Sequence, residues 1–530
     1  MQQRAESDPI PAYFYAALGK VHARLSLMRS NLGGPAPNDQ PKRIKRLSAL
    51  GLIRLLPFVI VLAISTLSVL TVGNYLYSDT IADLSETSFY DGEIEPFVNR
   101  PPLPQLLLEA IGAVFPAASR LPAMTLMQHG FILIEVLLIG LFFKERGQYT
   151  LALLVPIAWA LFGWNYVLAH TTRVEPLFLF VTMIWLWLGS RWFRREDWLS
   201  AVFLGITCGL LPTVRTIGII GVALVALAWW ISPRHGGWRS TAQITVVLFT
   251  ATAVILGFQA INEKRLGRFS LVDESGLHFL HRVVGVEDRL PEDGVASQKL
   301  LANAEKMNLP VFQRESVWDL RNHSSWQLGM SHQEIDDLMA QVAKEAFLER
   351  PFHFVWTSLL ATFPTTKAQV VGHAIPVGLN EGYYEEHGLY WQKQDAHIAE
   401  ICANFPTRNV DPIWDGMGYG ILKSLSNRGV PGLTRGWWIP FMVAFLGILS
   451  LVRRDPSFVL AAGFAAGILL ISCCTEAPQA RFWESGELAF LLALGIGARW
   501  LYDWLHQQTE KATVGEETDA AALRLDKVRQ

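Results

Sequence analysis

The chain has 530 residues, length enough for three or four soluble domains at about 150 residues each. Its composition excludes that arrangement: 51% of the residues belong to the AVILMFWYC set, only 17% are charged, against about 25% in soluble chains, and the mean hydropathy is +0.26. The 45 basic and 47 acidic side chains leave a net charge of −2, so there is no polyanion-binding signal and nucleic acid is excluded as a partner.

Residues 1–50 are polar, contain Pro and Gly and no secretory signal, and hold the basic cluster Lys42, Arg43, Lys45 and Arg46 near their end. We read them as a cytoplasmic N-terminal tail. A bilayer-crossing helix needs about 20 mostly apolar residues. The first such run is Leu55–Tyr77, which holds no charge. Further spans are expected at about 122–143, 149–170, 174–190, 198–214, 216–233 and 240–261. A polar stretch from about 262 to 434 separates these from three more, at about 435–452, 456–474 and 485–503. The last is the weakest, with an uncharged run of only Leu488–Ala498. Residues 504–530 are polar and expected to be a cytoplasmic, partly disordered tail. The expected fold is thus an all-α polytopic membrane protein of about ten transmembrane helices, with both termini inside. Two apolar runs, Leu103–Ser119 and Phe352–Phe363, are too short to span and read as interfacial or re-entrant helices.

Basic residues set the orientation. The loops expected inside hold Lys144, Arg146, Arg191, Arg194, Arg195, Arg234, Arg239, Arg453 and Arg454, which with the N-terminal cluster makes 13. The short outer loops hold five: Arg100, Arg120, Arg173, Arg215 and Arg481. Excess Lys and Arg stays cytoplasmic, so the second set faces outward.

The segment 262–434 carries 16 basic and 22 acidic side chains and eight of the thirteen histidines. Gln333–Glu349 repeats apolar residues at Ile335, Leu338, Met339, Val342 and Phe347, a helical stripe. Asn380–Trp391 is aromatic and acidic, suited either to sugar faces or to packing under a loop. His278 and His281 could share a helix face, but no third ligand accompanies them, and they read as solvated surface histidines. Glu135 lies inside the second span, where an acid is costly. Its options are a proton-linked role, pairing with the mid-membrane His129, or an internal hydrogen bond, and a buried structural bond suits it best, since one acid alone does not make a relay.

Four islands fall on the outer side. Tyr77–Asp83 follows the first span and carries Asp79 and Asp83. Val98–Pro104 carries Arg100 and opens the short apolar helix. His170–Pro176 carries Arg173 and Glu175 in a tight turn. Thr475–Glu484 carries Arg481 and opens the last span; Arg215 lies near the same level. A carboxylate there can take the proton of an acceptor hydroxyl. Arginines beside it can hold a lipid phosphate and stabilise the charge that grows on it as a leaving group, with a planar fork that matches phosphate oxygens. The bland alternatives are acids that end a span, arginines that anchor to headgroups, and an Arg173–Glu175 ion pair within the turn.

Taken in order, these islands resemble the GT-C superfamily of integral-membrane glycosyltransferases, nearest to protein O-mannosyltransferases and the lipid A aminoarabinose transferase. The likeness rests on Asp79 after the first span, the Arg100-Pro-Pro-Leu-Pro104 run, the Arg173-x-Glu175-Pro176 turn, the Gly209–Gly218 run around Arg215, and Arg481-Phe482 before the last span. It covers about residues 50–260 and 475–500. It implies a seven-helix module over 51–261 with a catalytic outer loop at 78–121, a periplasmic segment over 262–434, and three C-terminal spans over 435–503. It also implies inverting transfer of a sugar from a polyprenyl-phosphate donor. By the same likeness Asp79 is the base, Glu175 the second outer acid, and Arg100, Arg481 and Arg173 the donor-phosphate ligands. Asp83, Asp91, Glu93 and Arg215 are secondary candidates, and Asp91 and Glu93 compete with Asp79. The mannosyltransferases carry Asp-Glu where this chain has Asp79-Thr80, and Tyr is commoner than Phe482. No metal ligand is assigned. Oligosaccharyltransferases of the superfamily bind a divalent metal and carry Trp-Trp-Asp, of which Ile413-Trp414-Asp415-Gly416 is only a partial echo, so a divalent metal stays open as a cofactor.

The expected activity is therefore a glycosyltransferase of a bacterial inner membrane with a periplasmic active site. Its partners would be membrane lipids, the lipid-linked donor and a periplasmic or outer-leaflet lipid, glycan or protein acceptor. A transporter or flippase of lipid-linked sugars and a non-catalytic scaffold are the alternatives; the first expects paired repeats and midplane charges, of which only Glu135 is seen.

Overall fold

The computed structural model describes residues 40–72, 100–170, 173–233, 236–287, 289–309, 316–367, 421–422, 424–425, 434–475 and 480–529, with backbone alone for 40–52, 316, 322, 326, 367, 480–482 and 510–529. Among the described residues every regular element is helical. In chain order the helices are α1 (Gln40–Thr71), α2 (Pro102–Val114), α3 (Ala117–Glu145), α4 (Leu151–Ala160), α5 (Gly163–His170), α6 (Glu175–Arg195), α7 (Trp198–Val214), α8 (Ile220–Ile231) and α9 (Trp238–Leu266). They continue as α10 (Ser275–Arg282), α11 (Val295–Lys306), α12 (Ser316–Leu328), α13 (His332–Glu349), α14 (Pro351–Lys367), α15 (Ile439–Arg453), α16 (Pro456–Thr475) and α17 (Ala480–Arg529). The chain divides into a unit through Leu56 and a second from Pro57 onward. The first contributes the basic opening of α1; everything below concerns the second.

Among the described residues six helices are long and apolar enough to cross a membrane: the Ile53–Thr71 part of α1, α3, α6, α9, α16, and Trp483–Thr509 within α17. The bent pair α4 and α5 makes a seventh if it counts as one span. The other three expected spans fall on the shorter apolar helices α7, Thr216–Ile231 and α15. At about 1.5 Å per residue the 21 residues of α6 cover about 31 Å, the thickness of a bilayer core.

Prolines and left-handed residues set many of the boundaries. Pro102, Pro176 and Pro440 sit in the first turns of α2, α6 and α15, where the missing N–H is no loss. Glu196 and Arg454, with φ of 50° each, stop α6 and α15, and Gly267 at φ 71° stops α9.

Burial ranks the helices. The apolar window of α6 is 78% buried, whereas those of α1 and α9 are 17% buried. So α6 is the centre, and α1 and α9 turn most of their surface outward. Trp185 and Trp192 of α6 are fully buried, and each finds an acceptor for its indole N–H: Cys208 Sγ at 3.1 Å and Gln243 Oε1 at 3.0 Å. Gly205 and Gly209, four apart on α7, let α9 approach closely. A Cβ at either would lie 2.7 Å from a backbone oxygen of α9, at Val247 or Ala251.

Residues α10 to α14 form a second apolar core from Leu277, Leu280, Leu300, Leu320, Ile335, Met339, Val342 and Phe354. The stripe expected on α13 is buried at Ile335, Leu338, Met339 and Val342, but Phe347 is exposed. Arg282, fully buried, ties this core to the bundle. Its guanidinium donates to the Cys473 carbonyl of α16, to Phe354 O, Thr357 and Ser358 of α14, and to Glu287. Burial pulls its pKa down, and Glu287 acts against that.

Three expectations are corrected. The third span is not straight: α4 and α5 meet at a 46° bend, where Tyr166 Oη donates to the freed Ala160 carbonyl at 2.8 Å. The first span is helical through Thr71, and residues 73–77 lie outside the described residues. The C-terminal tail is not disordered: α17 runs on to Arg529, through a proline-free stretch rich in Ala, Glu, Leu and Lys. His281 is buried rather than solvated.

Candidate functional site

One cavity of about 330 Å³ opens where helix ends meet. The Arg100-Pro101-Pro102 start of α2 supplies Arg100, and the turn before α6 supplies Arg173 and Glu175. Arg215 comes from the break after α7, where the extended backbone at φ −146° ends the helix. Thr475 and Ser485 come from α16 and α17. All of these stand at one end of the bundle. At the other ends of α3, α6 and α15 lie Glu145, Arg146, Arg194 and Asp455, joined as Arg194–Glu145 at 2.6 Å and Arg146–Asp455 at 2.5 Å.

The acid at the cavity's centre is doubly held. Glu175 is 3% exposed, and its Oε1 accepts from Arg173 Nη2 at 2.9 Å and from Arg215 Nη1 at 3.4 Å. Arg215 also donates to Ser485 Oγ at 2.7 Å and lies 5.9 Å above the Phe178 ring. Gln128 donates to the Arg173 carbonyl at 3.2 Å, which fixes the turn. The Arg173–Glu175 pair within the turn is thus formed, and Arg215 extends it. The Glu175 carboxylate thus joins the turn before α6 to the end of α7.

Behind this wall, Arg435 reaches Glu487 at 2.9 Å and Glu484 at 3.7 Å, both acids being buried. Trp483 Nε1 donates to the Thr434 carbonyl at 2.7 Å and closes the cluster. On the membrane side, His129 and His170 place their Nε2 atoms 3.3 Å apart, with Ser68 Oγ 3.3 Å from each. Glu135 has a different partner from the one considered: Trp159 Nε1 donates to it at 2.7 Å.

The opposite wall belongs to the second core. Glu274, Ser275, His278 and Phe279 line the cavity from the start of α10. Glu274 is buried, and Arg321 of α12 donates to its Oε1 at 2.7 Å. Asp336 of α13 accepts from the Gly276 and Leu277 amides at 3.0 and 2.9 Å, which fixes the first turn of α10. Burial pushes the Asp336 carboxyl up, against those amides.

Of the sequence candidates, Arg100, Arg173, Glu175 and Arg215 converge on this cavity. Asp79, Asp83, Asp91 and Glu93 lie outside the described residues, as do Asn380–Trp391 and Ile413–Gly416. Arg481 is described by its backbone in α17 alone. Sequence reasoning missed Glu274, Arg321 and Arg435. The Glu274–His278 spacing of four was a legible signal for a shared helix face, masked by attention to the His278–His281 pair. Among the described residues no group of three His, Cys, Asp or Glu side chains is placed to hold a metal.

The described chain is therefore an all-helical protein with several membrane-length apolar helices and an arginine-lined cavity at one end. No family model and no curated protein matches it.

Proposed function

We propose that this chain is a GT-C-type membrane glycosyltransferase that moves a sugar from a polyprenyl-phosphate donor to a hydroxylated acceptor. The observation that carries the reading is the meeting of Arg100, Arg173 and Arg215, from three separated segments, around one cavity. That cavity lies at the bundle end away from Lys144, Arg146, Arg191, Arg194 and Arg195. If the basic end stays cytoplasmic, the cavity faces the periplasm of a bacterial inner membrane. No nucleotide donor is at hand there, and a lipid-linked sugar supplies its own leaving group.

The step balances simply. The acceptor oxygen forms a bond to the anomeric carbon from the face opposite the phosphate. The carbon–oxygen bond to phosphate breaks, its electron pair stays on the phosphate oxygen, and the acceptor proton goes to a carboxylate. The arginines stabilise the growing phosphate charge. Glu175 holds Arg173 and Arg215 in place. Asp79 is the proposed base, and Arg481 a proposed further phosphate ligand, both on the GT-C likeness. The apolar start of α2 beside Arg100 suits the donor's tail.

In proteoliposomes with a polyprenyl-phosphate sugar and envelope acceptors, Arg215→Ala and Arg173→Lys should each lower turnover about 100-fold or more. Wild-type turnover with both variants fully active would remove the arginines from the reaction. A second reading, a transporter of lipid-linked sugars, draws on the bent α4–α5 pair and the buried His129–His170 contact. It expects the donor to change leaflet intact, with no sugar released to an acceptor.

A further inference from the structure

The cavity has two chemically different walls. Arg100, Arg173 and Arg215 make one, and the first turn of α10 makes the other. On that second wall Glu274 and His278 stand four apart, hence on one helix face. Glu274 Oε2 lies 3.8 Å from His278 Nε2, too far for a hydrogen bond between them. Glu274 is 2% exposed; its Oε1 is taken by Arg321, and its Oε2 is buried with no hydrogen-bond partner. A buried carboxylate oxygen left unsatisfied is costly unless a ligand completes it. His278 is held from behind by Trp318, at a ring separation of 6.5 Å, and the turn itself is fixed by Asp336.

We propose that Glu274 and His278 bind a hydroxyl of the acceptor, one other than the hydroxyl that gives its proton to the base. The bound hydroxyl donates to Glu274 Oε2 and lies within hydrogen-bond reach of His278 Nε2, since a 3.8 Å gap admits one oxygen at about 2.8 Å from both. Arg321 holds the Glu274 carboxylate in place. The proposal rests on the transferase reading and adds to it: the phosphate half of the reaction belongs to the membrane bundle, and the acceptor half to α10 and its core. The acceptor class is a polyol or sugar, which offers hydroxyls to a carboxylate–imidazole pair.

The test separates the two substrates. Steady-state transfer is measured with purified full-length protein in proteoliposomes, varying donor and acceptor independently, for wild type, Glu274→Gln and His278→Gln. Both variants should raise the acceptor KM about tenfold or more and leave the donor KM within about twofold, a loss of one hydrogen bond to a charged group. His278→Gln leaves the Glu274–Arg321 pair intact, so it reports even if Glu274→Gln weakens the fold. An unchanged acceptor KM in His278→Gln, or a rise confined to the donor KM, would overturn the acceptor site while leaving the transferase standing. No turnover by the wild type with any lipid-linked sugar would instead overturn the transferase reading beneath it.

Discussion

Arg282 shows how one side chain can set the position of a whole wall. It is fully buried, yet it meets two backbone carbonyls, two hydroxyls and Glu287, so its charge is compensated on several sides. Removing one member of such a group leaves the others buried and unmatched, at about 3–5 kcal/mol. Arg282→Ala should therefore lower the thermal midpoint of the purified protein and expose α10 to α14 to limited proteolysis first. A variant as stable and protease-resistant as wild type would show that Arg282 does not tie the two cores together. At this scale the sequence was partly legible. Arg173 and Glu175 sit two apart before a proline, and an ion pair follows from proximity alone. Arg215, forty residues on, shares that carboxylate only because α7 breaks at its level. Glu135 needed a buried donor, but that the donor is Trp159 depends on how α3 faces α4, which no spacing encodes.

Helix ends carry the next level of information. Asp455 stops nothing itself but caps α16: its Oδ1 accepts from the Ser457 and Phe458 amides at 3.0 and 3.3 Å, and its other oxygen meets Arg146. Burial alone would push the Asp455 carboxyl up; Arg146 and the two amides outweigh it and hold it below its ordinary value. A depressed folded-state value means stability that is complete above the unfolded value and lost as pH falls through the folded one. Asp455→Asn keeps the cap and loses the ion pair, so it should cost about 0.5–1 kcal/mol at neutral pH. The gap between the two melting curves should close in acid, below the carboxylate range. A gap that persists or widens in acid would assign the effect to something other than this charge. Apolar run length located the six span-length helices because burial in lipid demands it. The bend between α4 and α5 escaped notice because Leu161 and Phe162 keep the run apolar across the break. The helical continuation of α17 escaped because polarity was read as disorder, although the stretch is made of good helix formers.

For the whole molecule the claim is one of sidedness. The cavity and the second core lie at one end of the bundle, and the paired charges Arg146–Asp455 and Arg194–Glu145 at the other. In a cysteine-free background, Val295→Cys on exposed α11 should react with a membrane-impermeant thiol reagent in intact spheroplasts. Tyr149→Cys, exposed between α3 and α4, should react only after lysis. The reverse pattern would turn the protein over and place the cavity in the cytoplasm. The grouping of arginines on one side was readable from alternation of spans and the count of basic loops. The cavity wall from α10 was not, since it is built by folding α10 back over the bundle, a tertiary event with no local signature.

The most direct measurement is lipid mass spectrometry on a strain lacking this gene, complemented with wild type, Arg215→Ala or Asp79→Asn. The account predicts that a polyprenyl-phosphate sugar accumulates in the deletion strain while one envelope glycoconjugate loses that sugar. Wild type should restore both, and neither variant should. An unchanged pool of lipid-linked sugars with every glycoconjugate intact would contradict it.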